Sequence, residues 1–235
     1  MASVINVTEI IDRPVLAPFQ KRVAMLCSAI VFVEGFNTQL PGYIAPALAR
    51  DWQLTPAQMT SFFAAGLFGL LLGALFVAPI ADKIGRRPLL LACVPFLAVC
   101  AILTAFSPSL VMLDIARFLT GLGIGGAMPN AIALTSEYSP HRRRALLVAL
   151  MFTGFVLGAF AVGLVSSWLV PVFGWQSVFV IGGMLGGMFC GLIAPNIFNW
   201  VAEYPLLIVL SLLCRPGAAT SSSWRTRSTG PRWRR

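Results

Sequence analysis

The chain has 235 residues, of which 58% are hydrophobic and 11% charged, and it carries a formal net charge of +9. Its mean hydropathy is +0.85. Too little polar surface is present to coat a soluble globule, so the composition excludes a soluble enzyme or binding module and points to an integral membrane protein.

Crossing about 30 Å of hydrocarbon takes roughly 20 apolar residues as a helix. Six such runs follow in order, near 22–48, 58–81, 88–107, 109–136, 145–170 and 174–196. They are continuously apolar and do not alternate with period two, so helices are expected and a barrel is not. Residues 1–21 form an N-terminal segment without a secretory signal pattern, because Glu9, Asp12 and Arg13 precede a run too long for a signal peptide. A seventh stretch, 197–214, is interrupted by Glu203 and Pro205. Residues 215–235 are an Arg/Ser/Thr/Gly/Trp string with no periodicity, expected to be disordered.

That tail holds six of the 17 basic residues and no acidic one. What remains is 11 basic and 8 acidic side chains, which membrane topology accounts for, so nucleic acid is not implied. Arg13, Lys21 and Arg22 precede the first span. Lys83, Arg86 and Arg87 follow the second, and His141, Arg142, Arg143 and Arg144 follow the fourth. The opposite connections hold only Arg50. By the positive-inside rule the N-terminus and the basic connections are cytoplasmic. Cys27, Cys93, Cys100, Cys190 and Cys214 fall in or at the ends of apolar runs without metal-ligand spacing and read as small hydrophobes, with no metal and no cofactor expected.

The first span, SAIVFVEGFNTQLPGYIAPALA over residues 28–49, places Glu34 close to Asn37, Thr38 and Gln39. A charged carboxylate at that depth costs on the order of 2 to 3 kcal/mol, an expense that proton uptake relieves. Glu34 is therefore a candidate proton carrier, with Asn37, Thr38 and Gln39 as hydrogen-bonding partners for a substrate. In the alternative, Glu34 pairs permanently with Arg117 or lies near the interface as a structural charge.

The second connection, APIADKIGRRPLL over 78–90, sets Asp82 beside Lys83, Gly85, Arg86 and Arg87. A turn this tight needs the backbone freedom of Gly85. In span four, RFLTGLGIGGAMPN over 117–130 buries Arg117 ahead of Gly121, Gly123, Gly125 and Gly126, and ends on Asn130. Glycines at this density allow close helix approach, and an arginine in lipid needs a partner or a watery cavity. In SEYSPHRRRA, residues 136–145, Glu137 is expected to face Arg142, Arg143 and Arg144 locally. In span five, Gly154 and Gly158 lie four apart on one face and suit helix packing.

The D-K-x-G-R-R arrangement after the second span and the Arg/Gly run of the fourth resemble signatures of the major facilitator superfamily. Ala78 stands where that superfamily usually has glycine. VEGFNTQLPGYIAP, GGAMPNAIALTSEYSP and FGWQSVFVIGG are similar to the first, fourth and sixth helices of its aromatic acid:proton symporter branch, a resemblance that runs from about residue 20 to 195. Asn37 stands where that branch usually has a second acid. The resemblance implies an all-α integral membrane fold, the N-terminal six-helix bundle of a major facilitator, occupying 22–196. It further implies a secondary active transporter of a small aromatic carboxylate with a proton, no enzyme activity, and a bacterial inner membrane. Arg117 would serve proton coupling, Asn130 would join the substrate-binding group, and the Asp82 to Arg87 and Glu137 to Arg144 groups would form the gating loop.

The superfamily has twelve spans, so one half is expected here, completed by a missing C-terminal half or by self-association through the glycine faces. A non-transporting membrane fragment or scaffold from a truncated or frameshifted gene is the alternative.

Overall fold

The computed structural model describes the backbone of residues 18–201 and, apart from Phe19, the side chains up to Met188. Six long helices occupy that range: α1 Pro18–Asp51, α2 Pro56–Leu72, α3 Arg86–Ala105, α4 Leu110–Glu137, α5 Arg144–Phe173 and α6 Gln176–Val201. The stretches holding α1 to α5 are long and apolar enough to cross a membrane. The described side chains of α6 form a shorter apolar helix, Gln176–Met188. Beyond Val201, the seventh hydrophobic stretch and the basic tail lie outside the described residues, as does most of the N-terminal segment.

Local sequence sets the boundaries. The side chain of Thr55 caps α2 by accepting from the Gln58 backbone N–H, and Gln58 Oε1 accepts in return from the Thr55 backbone N–H, while Pro56 occupies the first helical position. Ser109 caps α4 by accepting from the N–H of Met112. Gly85 ends the second span with φ +94°, a conformation that glycine adopts at little cost and that a residue with a Cβ adopts only under strain.

The second span is not uniform. After Leu72 it passes through a π segment, Gly73–Val77, then a 3₁₀ turn, Ala78–Ile80, and one last α turn, Ala81–Ile84. Pro79 cannot donate to the ladder, and the irregular backbone forms where the normal helical bond is lost.

Packing is organised around two close pairs, α1 with α5 and α2 with α4, and α3 also lies along α4. Small residues make these contacts. A Cβ at Gly121 or Gly125 would run into the carbonyl oxygens of Gly66 or Leu70 on α2, and one at Gly154 or Gly158 into those of Ser28 or Phe32 on α1. Gly123 meets Phe96 and Leu97 on α3, while Gly126 meets Val77 and Cys93. The glycine faces are thus occupied within the chain, and self-association through them, expected from sequence, would have to break helix pairs already made. Helix α6 lies on α1 and α3, with Gly182 against Phe36 and Asn37 and Gly183 against Ala98 and Ile102.

The chain divides into two units, and the first, Met1–Ala194, carries the interior of the bundle. Inside the first, one apolar cluster gathers Phe36, Leu40, Phe62, Leu113, Trp175 and Phe179. A second gathers Cys27, Val31, Leu90, Cys93, Ala127 and Met151. Between and beside these clusters lie the buried polar groups of the site.

Candidate functional site in the helix bundle

Glu34 is 2% exposed, and neither carboxylate oxygen has a hydrogen-bond partner. One turn further along α1, Asn37 is fully buried. Its Nδ2 donates back to the carbonyl of Val33 at 2.9 Å, while its Oδ1 is unpartnered. Thr38 Oγ1 is likewise buried without a partner, and Gln39 turns to the exposed face.

Arg117 reaches α1 at this point: its Nη2 donates to the Asn37 carbonyl at 3.4 Å. That carbonyl is available because of sequence four residues away. In a regular helix it would accept from the N–H of residue 41, and Pro41 has none. A proline inside α1 thus exposes a backbone acceptor in the interior, and an arginine from α4 takes it. The guanidinium also lies 5.6 Å from the centre of the Phe62 ring and 5.3 Å from that of Phe179. Its Nε and Nη1 have no hydrogen-bond partner. Trp175 meets Phe179 edge to face at 6.0 Å, and Trp52 meets Trp175 at 5.7 Å, linking this slot to the α1–α2 and α5–α6 connections.

Two opposite charges therefore share one bundle without pairing with each other. The permanent Glu34–Arg117 ion pair considered from sequence is not formed: both Glu34 oxygens are without a partner, and Arg117 donates to the Asn37 carbonyl. The physical reason lies in Pro41 and the two rings, which give Arg117 an acceptor and two π faces away from the carboxylate.

Asn130 is buried on α4, and its Nδ2 donates to the carbonyls of Gly126 at 2.8 Å and Ala78 at 3.3 Å. Its amide thus bridges α4 to the irregular part of the second span. At the basic connections, Arg86 Nε lies 3.1 Å from Glu137 Oε1 and Arg86 Nη2 lies 3.9 Å from Asp82. Glu137 was expected to face Arg142 to Arg144. Instead it pairs with Arg86, because His141–Arg143 forms a separate exposed 3₁₀ turn after Pro140. Arg87 joins Arg86 in the first turn of α3, and Lys83 is exposed.

Sequence reasoning missed Phe62 and Phe179, for which composition carries no signal. It also missed Asp114, whose Oδ2 accepts from Ser61 Oγ at 2.9 Å. The Pro41 effect was legible in principle, since the residue losing its donor is always four before a helical proline.

The Major Facilitator Superfamily profile matches residues 27–205. The chain belongs to the Major Facilitator Superfamily. The match passes Pro195, where the resemblance read from sequence ended. Among curated relatives, the 4-hydroxybenzoate transporter PcaK of Pseudomonas aeruginosa is 44% identical over 77% of this chain and 40% of its own length. The gallate transporter of Pseudomonas putida is 40% identical over 77% and 40%. The benzoate transport protein of Acinetobacter baylyi is 36% identical over 78% and 41%. The chain thus spans about two fifths of the length of these relatives, which are transporters and not enzymes. Among solved structures, the inward-open xylose transporter XylE of Escherichia coli superposes with TM-score 0.62 at 16% identity, over 75% of this chain and 48% of that one. A double-tryptophan variant of XylE gives 0.65 at 16%, over 76% and 45%. At that identity the likeness speaks for the fold, an all-α bundle of the facilitator type, and with several apolar helices the chain is a multi-pass membrane protein.

Proposed function

We propose that the chain forms the proton- and substrate-handling bundle of a secondary transporter for small aromatic carboxylates in a bacterial inner membrane, with the N-terminus in the cytoplasm. The observation that carries this is Glu34, buried with both oxygens unpartnered, one turn from the Asn37 carbonyl that Arg117 holds. A carboxyl group in that setting alternates between charge states only if a proton arrives with it or a cation approaches, and Arg117 is held elsewhere. Asn37, Thr38 and Gln39 supply hydrogen-bonding groups along the same helix for a carboxylate. The orientation is supported by the basic residues at the α2–α3 and α4–α5 connections. At that end the Arg86–Glu137 pair ties α3 to α4, as a gate that opens would need to release. Transport of 4-hydroxybenzoate, gallate or benzoate by the relatives supports the substrate class.

The test uses the purified 235-residue protein in lipid nanodiscs. Benzoate binding is measured by equilibrium dialysis, with proton uptake followed by a pH dye in weakly buffered medium. Binding accompanied by proton uptake, with the uptake lost in Glu34→Gln, is expected. Proton uptake unchanged in that variant removes Glu34 from the coupling, and no benzoate binding at all removes the substrate assignment.

A further inference from the structure

The exposed faces of α2, α3 and α5 carry residues suited to lipid, such as Leu67 and Phe68, Val99 and Leu103, and Leu157 and Leu164. The exposed stripe of α1 beyond Asn37 differs. It consists of Gln39, Gly42, Tyr43 and Pro46, spaced three or four apart on one side of the helix, with no Leu, Ile, Val, Met or Phe among them. Neither the Gln39 amide nor the Tyr43 hydroxyl has a hydrogen-bond partner among the described residues. Pro46 brings no N–H to the carbonyl of Gly42, so this stripe also presents a backbone acceptor. In hydrocarbon, such a row of unsatisfied groups is costly, whereas facing a polar ligand or water it is not.

Tyr43 is held in place on this stripe. It is 50% exposed, and its ring lies over Gly163 of α5, where an added Cβ would sit 3.1 Å from both Cζ and Oη. A Cβ at 163 would press on the ring, which would have to shift by a few tenths of an ångström from its seat against α5.

We propose that Tyr43, seated on Gly163, determines specificity for a para-hydroxylated benzoate, which lies along the α1 stripe. This rests on the transporter assignment above and extends it to residues outside the Glu34 and Arg117 group. Four residues of helix rise about 6 Å, close to the length of a para-substituted benzoate. The Gln39 amide donates to the carboxylate at one end. At the other, the Gly42 carbonyl accepts from the para-hydroxyl and the Tyr43 hydroxyl completes its hydrogen bonds, while the Tyr43 ring meets the substrate ring. A site that hydrogen-bonds a substrate hydroxyl discriminates strongly against the analogue lacking it, because the site's own groups are then left unpaired.

The measurement compares 4-hydroxybenzoate with benzoate, each radiolabelled, in equilibrium dialysis against the 235-residue protein in nanodiscs. The unmodified protein is expected to favour 4-hydroxybenzoate by about tenfold, roughly one hydrogen bond's worth of affinity. Tyr43→Phe keeps the ring and the fold, so it should leave benzoate affinity within about twofold while erasing most of the preference. Gly163→Ala displaces the ring and should weaken both ligands. A preference that survives Tyr43→Phe overturns the role of Tyr43 and leaves the transporter assignment standing. Failure of the unmodified protein to bind either acid overturns both.

Discussion

Replacing Arg117 with methionine tests whether the buried guanidinium is there for stability or for function. Two ring contacts at 5.3 and 5.6 Å contribute up to about 2 kcal/mol each when desolvated. The bond to the Asn37 carbonyl is long at 3.4 Å and adds about 1 kcal/mol. Against this total of about 5 kcal/mol stands the cost of removing a guanidinium from water, several kcal/mol even after relaxation. Nε and Nη1, both buried and unpartnered, add about 1 to 3 kcal/mol each. The terms cancel or favour removal, and the unbranched methionine can follow much of the arginine stem between Phe62 and Phe179. Arg117→Met should therefore leave the melting temperature within about 4 °C of the unmodified protein, or raise it. Proton uptake linked to benzoate binding should be lost. The assay is thermal unfolding in nanodiscs followed by circular dichroism, together with the dye measurement. A fall of about 10 °C or more, near 3 kcal/mol for a chain of this size, would refute the reasoning and make Arg117 a structural post.

Three further outcomes follow from the packing and the connections. Gly158→Val drives side-chain atoms into the Phe32 carbonyl and should cost at least about 2 kcal/mol, whereas Gly187→Ala, with nothing within 4 Å, should be neutral or slightly stabilising in the same unfolding assay. Separating the Arg86–Glu137 pair by Glu137→Gln should cost no more than about 1 kcal/mol, because the side chains are 30% and 50% exposed. The charge-swapped double variant Arg86→Glu with Glu137→Arg should restore any lost function measured in a transport-competent context, and an equal loss in single and double variants argues against a gate. With Cys190 and Cys214 replaced by serine, cysteines introduced at the exposed positions Gln53 and Arg142 should react with an impermeant maleimide from opposite sides of the membrane, against a low background from the buried Cys27, Cys93 and Cys100. Labelling of both from one side would overturn the topology.

The membrane class and the helical fold were legible in residue order alone, because each rests on properties summed over about 20 residues: apolar length and continuous hydrophobicity. Residue order also marked Glu34 and Arg117, since a charge inside an apolar run is conspicuous without any knowledge of neighbours. What it could not decide was who meets whom. Whether Arg117 turned to Glu34 or elsewhere depended on an acceptor created by Pro41 on another helix and on rings from α2 and α6, contacts between residues as far apart as 80 positions. Glu137 found Arg86 and not its near neighbours in sequence because Pro140 and the turn after it directed those arginines away. The glycine stripes were visible as a pattern, yet only the assembled bundle shows that their partners lie within the chain, since a close backbone approach depends on which helix is brought alongside.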